Sequence, residues 1–160
     1  MKLAGILLIL FASVIIGFIL EREAGEGTRQ LSSFSAFLST LRRRLECYLD
    51  SPEQIARDYR DPNLEKTGFL ESLRRGRSIR EAYLESRGAL SIPSEADRIL
   101  SDFFASFGRG YLTSELHTVE NALVSIEKAL SEESKNARLK GRAMKIAAPT
   151  LGLGLVILII

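Results

Sequence analysis

Apolar residues are concentrated at the two ends of this chain. Residues 3–20 contain no charge and are rich in Leu, Ile, Val and Phe, and residues 146–160 form a second uncharged run. As a helix rising about 1.5 Å per residue, the first run is about 27 Å long, close to a hydrocarbon core of about 30 Å. Residues 143–145 extend the second run to a similar length, with Lys145 reaching toward the headgroups. The pattern predicts transmembrane helices over residues 1–22 and 143–160.

Each apolar run also has a second interpretation. The first resembles a cleaved signal peptide, although it has no clear small-x-small cleavage site and only Lys2 as a charged leader. The second resembles a buried core helix, but residues 151–160 offer no polar face. We therefore expect both runs to be membrane anchors.

Between the ends, apolar residues recur at spacings of three and four, which is typical of helices that pack along their length. No alternating run requires a strand. The sequence thus predicts an all-α bundle of about six helices over residues 24–142. The apolar seam of the first long helix consists of Leu31, Phe34, Leu38, Leu41, Leu45 and Tyr48, and that of the last helix, which starts near Ser114, consists of Leu116, Val119, Leu123, Ile126 and Leu130.

Start and stop signals divide the middle of the bundle. A helix start is expected at Ser51-Pro52, and a capping box is expected where Glu81 follows Ser78 by three positions. Three short helices follow, separated by Asp61-Pro62-Asn63, Gly76 and Gly88. The residues expected to face inward there are Phe69, Leu70, Leu73, Ile79, Tyr83 and Leu84. A helix that begins after Pro93 and stops at Gly108 and Gly110 carries the densest part of the core, which consists of Ile99, Leu100, Phe103, Phe104 and Phe107.

Charge and composition exclude several classes of function. Residues 24–142 hold nineteen Lys or Arg and eighteen Asp or Glu, so the bundle is nearly neutral and lacks the net basic surface that nucleic acid binding needs. Cys47 is the single cysteine and His117 the single histidine. They supply neither an internal disulfide nor a set of metal ligands.

The sequence also lacks the patterns of a catalytic site. Gly108-Arg109-Gly110 does not follow a strand and has no Lys-Ser or Lys-Thr after it, so a helix stop is the simpler interpretation than a phosphate loop. His117 lies off the seam, and Glu115, Glu120 and Glu127 are expected at exposed helical positions. We therefore expect no enzymatic activity, no cofactor and no metal.

Cationic clusters are the remaining candidates for function. Arg42-Arg43-Arg44 and the arginines around Gly76, which are Arg74, Arg75 and Arg77, could each dock an acidic partner or could be solvated helix faces. A different cluster follows the last acid of the chain, Glu133, and directly precedes the second apolar run. It predicts contact with anionic lipid headgroups and places the bundle on the cytoplasmic side. Its residues are Lys135, Arg138, Lys140, Arg142 and Lys145.

Several short motifs carry a resemblance to a known family. Tyr48 and Pro52 match a Tyr-x-x-x-Pro turn, and Phe69, Leu73 and Gly76 match Phe-x-x-x-Leu-x-x-Gly, followed by Ala82-Tyr83 in place of Ala-Trp. Together with Phe107-Gly108 and the paired apolar ends, they resemble the stage III sporulation protein AB family. The soluble part of that family is similar to the cytoplasmic helical domains of type II secretion F-type platform proteins. Glu115 and Val119 depart from the family, which tends to have an Asp and then a Gln in this region.

The resemblance implies a non-catalytic membrane platform in the channel between mother cell and forespore. It implies a two-pass protein of the cell membrane whose central domain is cytoplasmic, on the mother-cell side. The partners it implies are the lipid bilayer, a secretion-type ATPase (stage III sporulation protein AA) and other stage III sporulation membrane proteins. Alternative interpretations are a platform or accessory subunit of a type II secretion or pilus system outside sporulation, and a transmembrane sensor, which would need an output domain after the second span.

Overall fold

The computed structural model describes Ile15 and residues 25–48, 52–108 and 110–159, with the backbone alone described at residues 48, 52, 53, 140 and 144–159. These residues form seven α-helices and no strand, so the predicted all-α fold is confirmed. In chain order the helices are α1 (Glu26–Tyr48), α2 (Pro52–Asp58), α3 (Pro62–Lys66), α4 (Phe69–Arg74), α5 (Ile79–Ser86), α6 (Ser94–Ser106) and α7 (Leu112–Ile159), and a short 3₁₀ helix, Arg87–Ala89, follows α5.

The chain divides into two compact units. One is Gly27–Glu133, which contains all the described residues of the hydrophobic core, and the other includes the part of α7 from Ser134 onward. The predicted span over residues 1–22 lies outside the described residues apart from Ile15, and the predicted span over residues 143–160 falls where almost only backbone is described. No helix in the described ranges combines the length and the apolar content that crossing a membrane requires.

Five of the six predicted seam residues of α1 are buried as their spacing predicts, and the side chain of Tyr48 lies outside the described residues. Leu31, Phe34, Leu38 and Leu41 are fully buried, and Leu45 is 2% exposed. Phe37, which lies outside the predicted seam, is also fully buried. The apolar face of α1 is therefore wider than a two-position seam, because the short helices cover it from more than one side.

Phe104 lies at the centre of an aromatic cluster that connects α6 to α1, α4 and α5. Its ring centroid is 4.9 Å from that of Tyr83 and 5.7 Å from that of Phe69. Phe34 and Phe37 of α1 approach it at 6.3 and 6.4 Å. Such ring pairs stabilise a core beyond the area they bury. Of the residues predicted for this part of the core, Leu100, Phe103, Phe104 and Phe107 are buried, and Ile99 is partly buried.

The middle of the bundle contains four short helices, so the predicted number of three is wrong. Asp61 caps α3, because its carboxylate accepts hydrogen bonds from the backbone N–H groups of Asn63 and Leu64. The additional break is at Gly68, which adopts φ +82° between α3 and α4. Thr67 supports this break by donating its hydroxyl to the carbonyl of Leu64. A glycine is favoured at this position because other residues rarely adopt a positive φ.

The capping box of α5 is confirmed. The backbone N–H of Glu81 donates to the hydroxyl of Ser78 at 3.3 Å, and the backbone N–H of Ser78 donates to the carboxylate of Glu81 at 3.1 Å. These hydrogen bonds with Ser78 lower the pKa of Glu81. The inward placement of Leu84 is wrong, since its side chain is 48% exposed. Tyr83 is the buried neighbour, and its bulk fills the inner face of α5.

Candidate docking surface

The arginines around Gly76 lie at the end of α4. Gly76 adopts φ +88°, and its backbone N–H donates to the carbonyl of Leu73 at 3.0 Å. The backbone N–H of Arg77 then donates to the carbonyl of Ser72 at 3.2 Å. These bonds close the helix end as a glycine C-cap does. The predicted helix stop is confirmed, and it brings the three arginines onto one corner of the bundle.

Each of these three arginines forms an ion pair with a glutamate of the same bundle. The arginine side chains remain between 37% and 68% exposed, so the ion pairs lie in solvent. Exposed ion pairs contribute about 0–1 kcal/mol and can be exchanged for other partners. The corner therefore offers cations to a partner carboxylate at a small cost. The pairs are Arg74 with Glu65 at 2.5 Å, Arg75 with Glu71, and Arg77 with Glu85 at 3.2 Å.

The basic segment of α7 presents its described cations on one side of the helix. Lys135, Arg138 and Arg142 are exposed and follow one another at spacings of three and four. Residues so spaced lie on the same helical face. Leu139 is 64% exposed beside them. The side chains of Lys140 and Lys145 lie outside the described residues.

Glu115 corrects a prediction, because it is buried rather than exposed. Its side chain is only 6% exposed, and its carboxylate accepts the backbone N–H groups of Gly108 at 2.9 Å and of Gly110 at 2.6 Å. Gly108 itself has φ +84°. A carboxylate that accepts two backbone donors holds the turn between α6 and α7 in one conformation. The signal in the sequence was a glutamate five residues after a glycine pair, inside the first turn of a helix.

A polar network on α5 and α6 was missed by the sequence reasoning. The Tyr83 hydroxyl donates to the Asp97 carboxylate at 2.7 Å, and the Arg87 guanidinium donates to both oxygens of that carboxylate. The hydrogen bond from Arg87 is the main cause that lowers the pKa of Asp97. Burial, followed by the hydrogen bond to Asp97, raises the pKa of Tyr83. The network joins α6 to α5 and to the 3₁₀ helix that follows α5.

The single cysteine and the single histidine both lie at the surface. Cys47 is exposed. His117 is also exposed, and its Nδ1 lies 3.8 Å from a carboxylate oxygen of Glu120. Within the described part of the chain, no three His, Cys, Asp or Glu side chains are grouped so that they could hold a metal ion.

The model of the stage III sporulation protein AB family matches residues 2–160. No curated protein and no solved structure matches the chain. Because the match covers nearly the whole sequence, this chain belongs to the stage III sporulation protein AB family.

Proposed function

We propose that this chain is a non-catalytic membrane platform component of the channel between mother cell and forespore. It docks a secretion-type ATPase, of the kind of stage III sporulation protein AA, and other stage III sporulation membrane proteins. The match to the family over residues 2–160 carries the proposal, since membership assigns the chain a role in stage III of sporulation. The compact helical unit Gly27–Glu133 supports it, because a rigid bundle with exposed exchangeable ion pairs suits a protein-docking role.

In this proposal the chain crosses the membrane twice, at residues 1–22 and 143–160, and its central domain faces the mother-cell cytoplasm. The exposed cations Lys135, Arg138 and Arg142 support this placement. A cationic helical face beside an apolar run is attracted to the anionic headgroups of the cytoplasmic leaflet. The alternative, a platform or accessory subunit of a type II secretion or pilus system, is disfavoured by the family match.

The docking role is tested with the full chain in lipid nanodiscs and the purified ATPase of the same organism. We expect saturable binding that weakens as salt rises, because exposed charges act mainly on association rate and salt dependence. Charge reversal of Arg74, Arg75 and Arg77 to glutamate should slow association and leave the melting temperature within a few degrees.

A matched control reverses three exposed cations elsewhere in the bundle, namely Arg57, Lys66 and Arg98. This variant has the same net charge as the variant of the Gly76 corner. A difference in binding between the two variants therefore reports a local role of that corner. Equal binding by both variants would leave the corner as a solvated face. Absence of binding by the unmodified chain would overturn the docking function itself.

A further inference from the structure

A groove of about 580 Å³ runs between α1 and the first part of α7. On the α7 side it is lined by residues at positions i, i+3, i+4 and i+7, which form one face of a helix. On the α1 side it is lined by a face with the same spacing, which begins at Ser39. The four residues on α7 are Glu120, Leu123, Val124 and Glu127, and Asn121 lines the groove beside them.

The two walls of this groove carry opposite charge. The α1 wall presents Arg42 and Arg43 together with Glu46, and the α7 wall presents Glu120 and Glu127, so the first wall has a net positive charge and the second a net negative charge. Walls of opposite charge orient a charged ligand. In only one orientation do the ligand's anions face the cationic wall and its cations face the anionic wall.

One charged residue of each wall is left without an ion pair among the residues that the structure describes. Arg42 forms an ion pair across the groove with Glu120 at 2.8 Å, and it forms a second ion pair with Glu46 at 3.2 Å. By contrast, Arg43 and Glu127 are exposed and form no ion pair with any residue that the structure describes. A docked segment can therefore satisfy both without breaking an existing pair.

The groove also has an exposed apolar contact. Val124 is 68% exposed, whereas its neighbour Leu123 is 8% exposed and belongs to the core. A single exposed valine on an open surface is ordinary. Here it lines the same concave site as the cation of Arg43 and the anion of Glu127. Protein interfaces combine apolar and charged contacts in this way.

We infer that this groove binds an amphipathic helix of the docked ATPase, with an apolar side chain on Val124. The helix carries carboxylates along the edge that faces Arg43 and cations along the edge that faces Glu127. A helix fits because two packed helices leave a lengthwise groove that takes a third. The inference rests on the proposed docking function and names the surface where the specific contact forms, while the Gly76 corner acts on association.

The test measures the equilibrium affinity of the full chain in nanodiscs for the purified ATPase. The groove variant combines Arg43→Glu with Glu127→Lys, which exchanges the charges of the walls and leaves the net charge unchanged. The control combines Arg80→Glu with Glu95→Lys, two exposed residues outside the groove. We expect the groove variant to bind about tenfold more weakly, corresponding to about 1.4 kcal/mol, and the control to bind as the unmodified chain.

Val124→Asp provides an independent variant, since it removes the apolar contact and should also weaken binding at least about tenfold. Melting temperatures of all variants identify any that fail to fold. If the unmodified chain binds and the groove variants bind equally well, the groove is not the contact surface and the docking function stands. If the unmodified chain does not bind the ATPase, both the docking function and the proposal that the groove binds an ATPase helix are wrong. Loss of self-association without any change in ATPase binding would make a second copy of the chain the occupant and overturn the proposal.

Discussion

At the scale of single residues, Phe104 is the side chain whose removal we expect to destabilise the bundle most. It is 2% exposed and contacts aromatic rings from α1, α4 and α5. We expect Phe104→Ala to lower the free energy of unfolding by about 3–5 kcal/mol, because it removes a large buried side chain and leaves a cavity. Chemical denaturation measures this loss. Tyr111→Ala is the control, since Tyr111 is 91% exposed and its removal should cost less than about 0.5 kcal/mol. Similar losses for both would show that the ring cluster does not hold the bundle.

A second prediction at this scale concerns how the contribution of Asp97 to stability depends on pH. Because Arg87 lowers its pKa in the folded protein, the contribution of Asp97 is present at neutral pH and is lost as pH falls through and below the ordinary carboxyl range. Asp97→Asn keeps the shape and removes the charge. At pH 7 this variant should be about 1–3 kcal/mol less stable than the unmodified protein. The difference should narrow toward pH 3, as thermal melts across the range would report. A difference independent of pH would exclude the charge as its cause.

At the scale of elements, the start of α1 is fixed against the segment before α6. The side-chain carbonyl of Gln30 accepts the backbone N–H of Ser91 at 2.7 Å, although the two residues are sixty-one positions apart. Gly27 lies so close to this segment that an added Cβ would be 2.3 Å from the carbonyl oxygen of Ser91. Neither approach can be read from helical periodicity, because it joins two distant parts of the chain.

We therefore expect Gly27→Ala to destabilise the bundle by about 1–3 kcal/mol, as overpacking against backbone does. Gly88→Ala is the matched control, because a Cβ there meets nothing within 4 Å and Gly88 does not have a positive φ. It should be neutral or slightly stabilising. The comparison is made by the midpoints of urea unfolding. A neutral Gly27→Ala would mean that α1 can shift away from Ser91 at little cost.

At the scale of the whole molecule, orientation in the membrane is the testable property. The basic residues before the second apolar run predict a cytoplasmic bundle. Cys47 is the single thiol and is exposed, so it reports the location of the bundle. A membrane-impermeant maleimide should leave Cys47 unlabelled in intact cells and label it after lysis. A cysteine added after Ile160 in a Cys47→Ser background should react without lysis. Labelling of Cys47 in intact cells would place the bundle outside and separate it from a cytoplasmic ATPase.

The sequence by itself determined the features that depend on near neighbours. Helix periodicity and caps act within a few residues, so the buried seam of α1, the capping box of Ser78 and Glu81, and the stop at Gly76 could all be read from the chain. The tertiary structure alone decided which exposed positions meet across the fold. Leu84 is exposed beside the buried Tyr83, and Glu115 is buried with its carboxylate accepting the backbone N–H of Gly108. The pairs of Arg42 with Glu120 and of Arg87 with Asp97 likewise join different elements, and no local pattern encodes the distance between them.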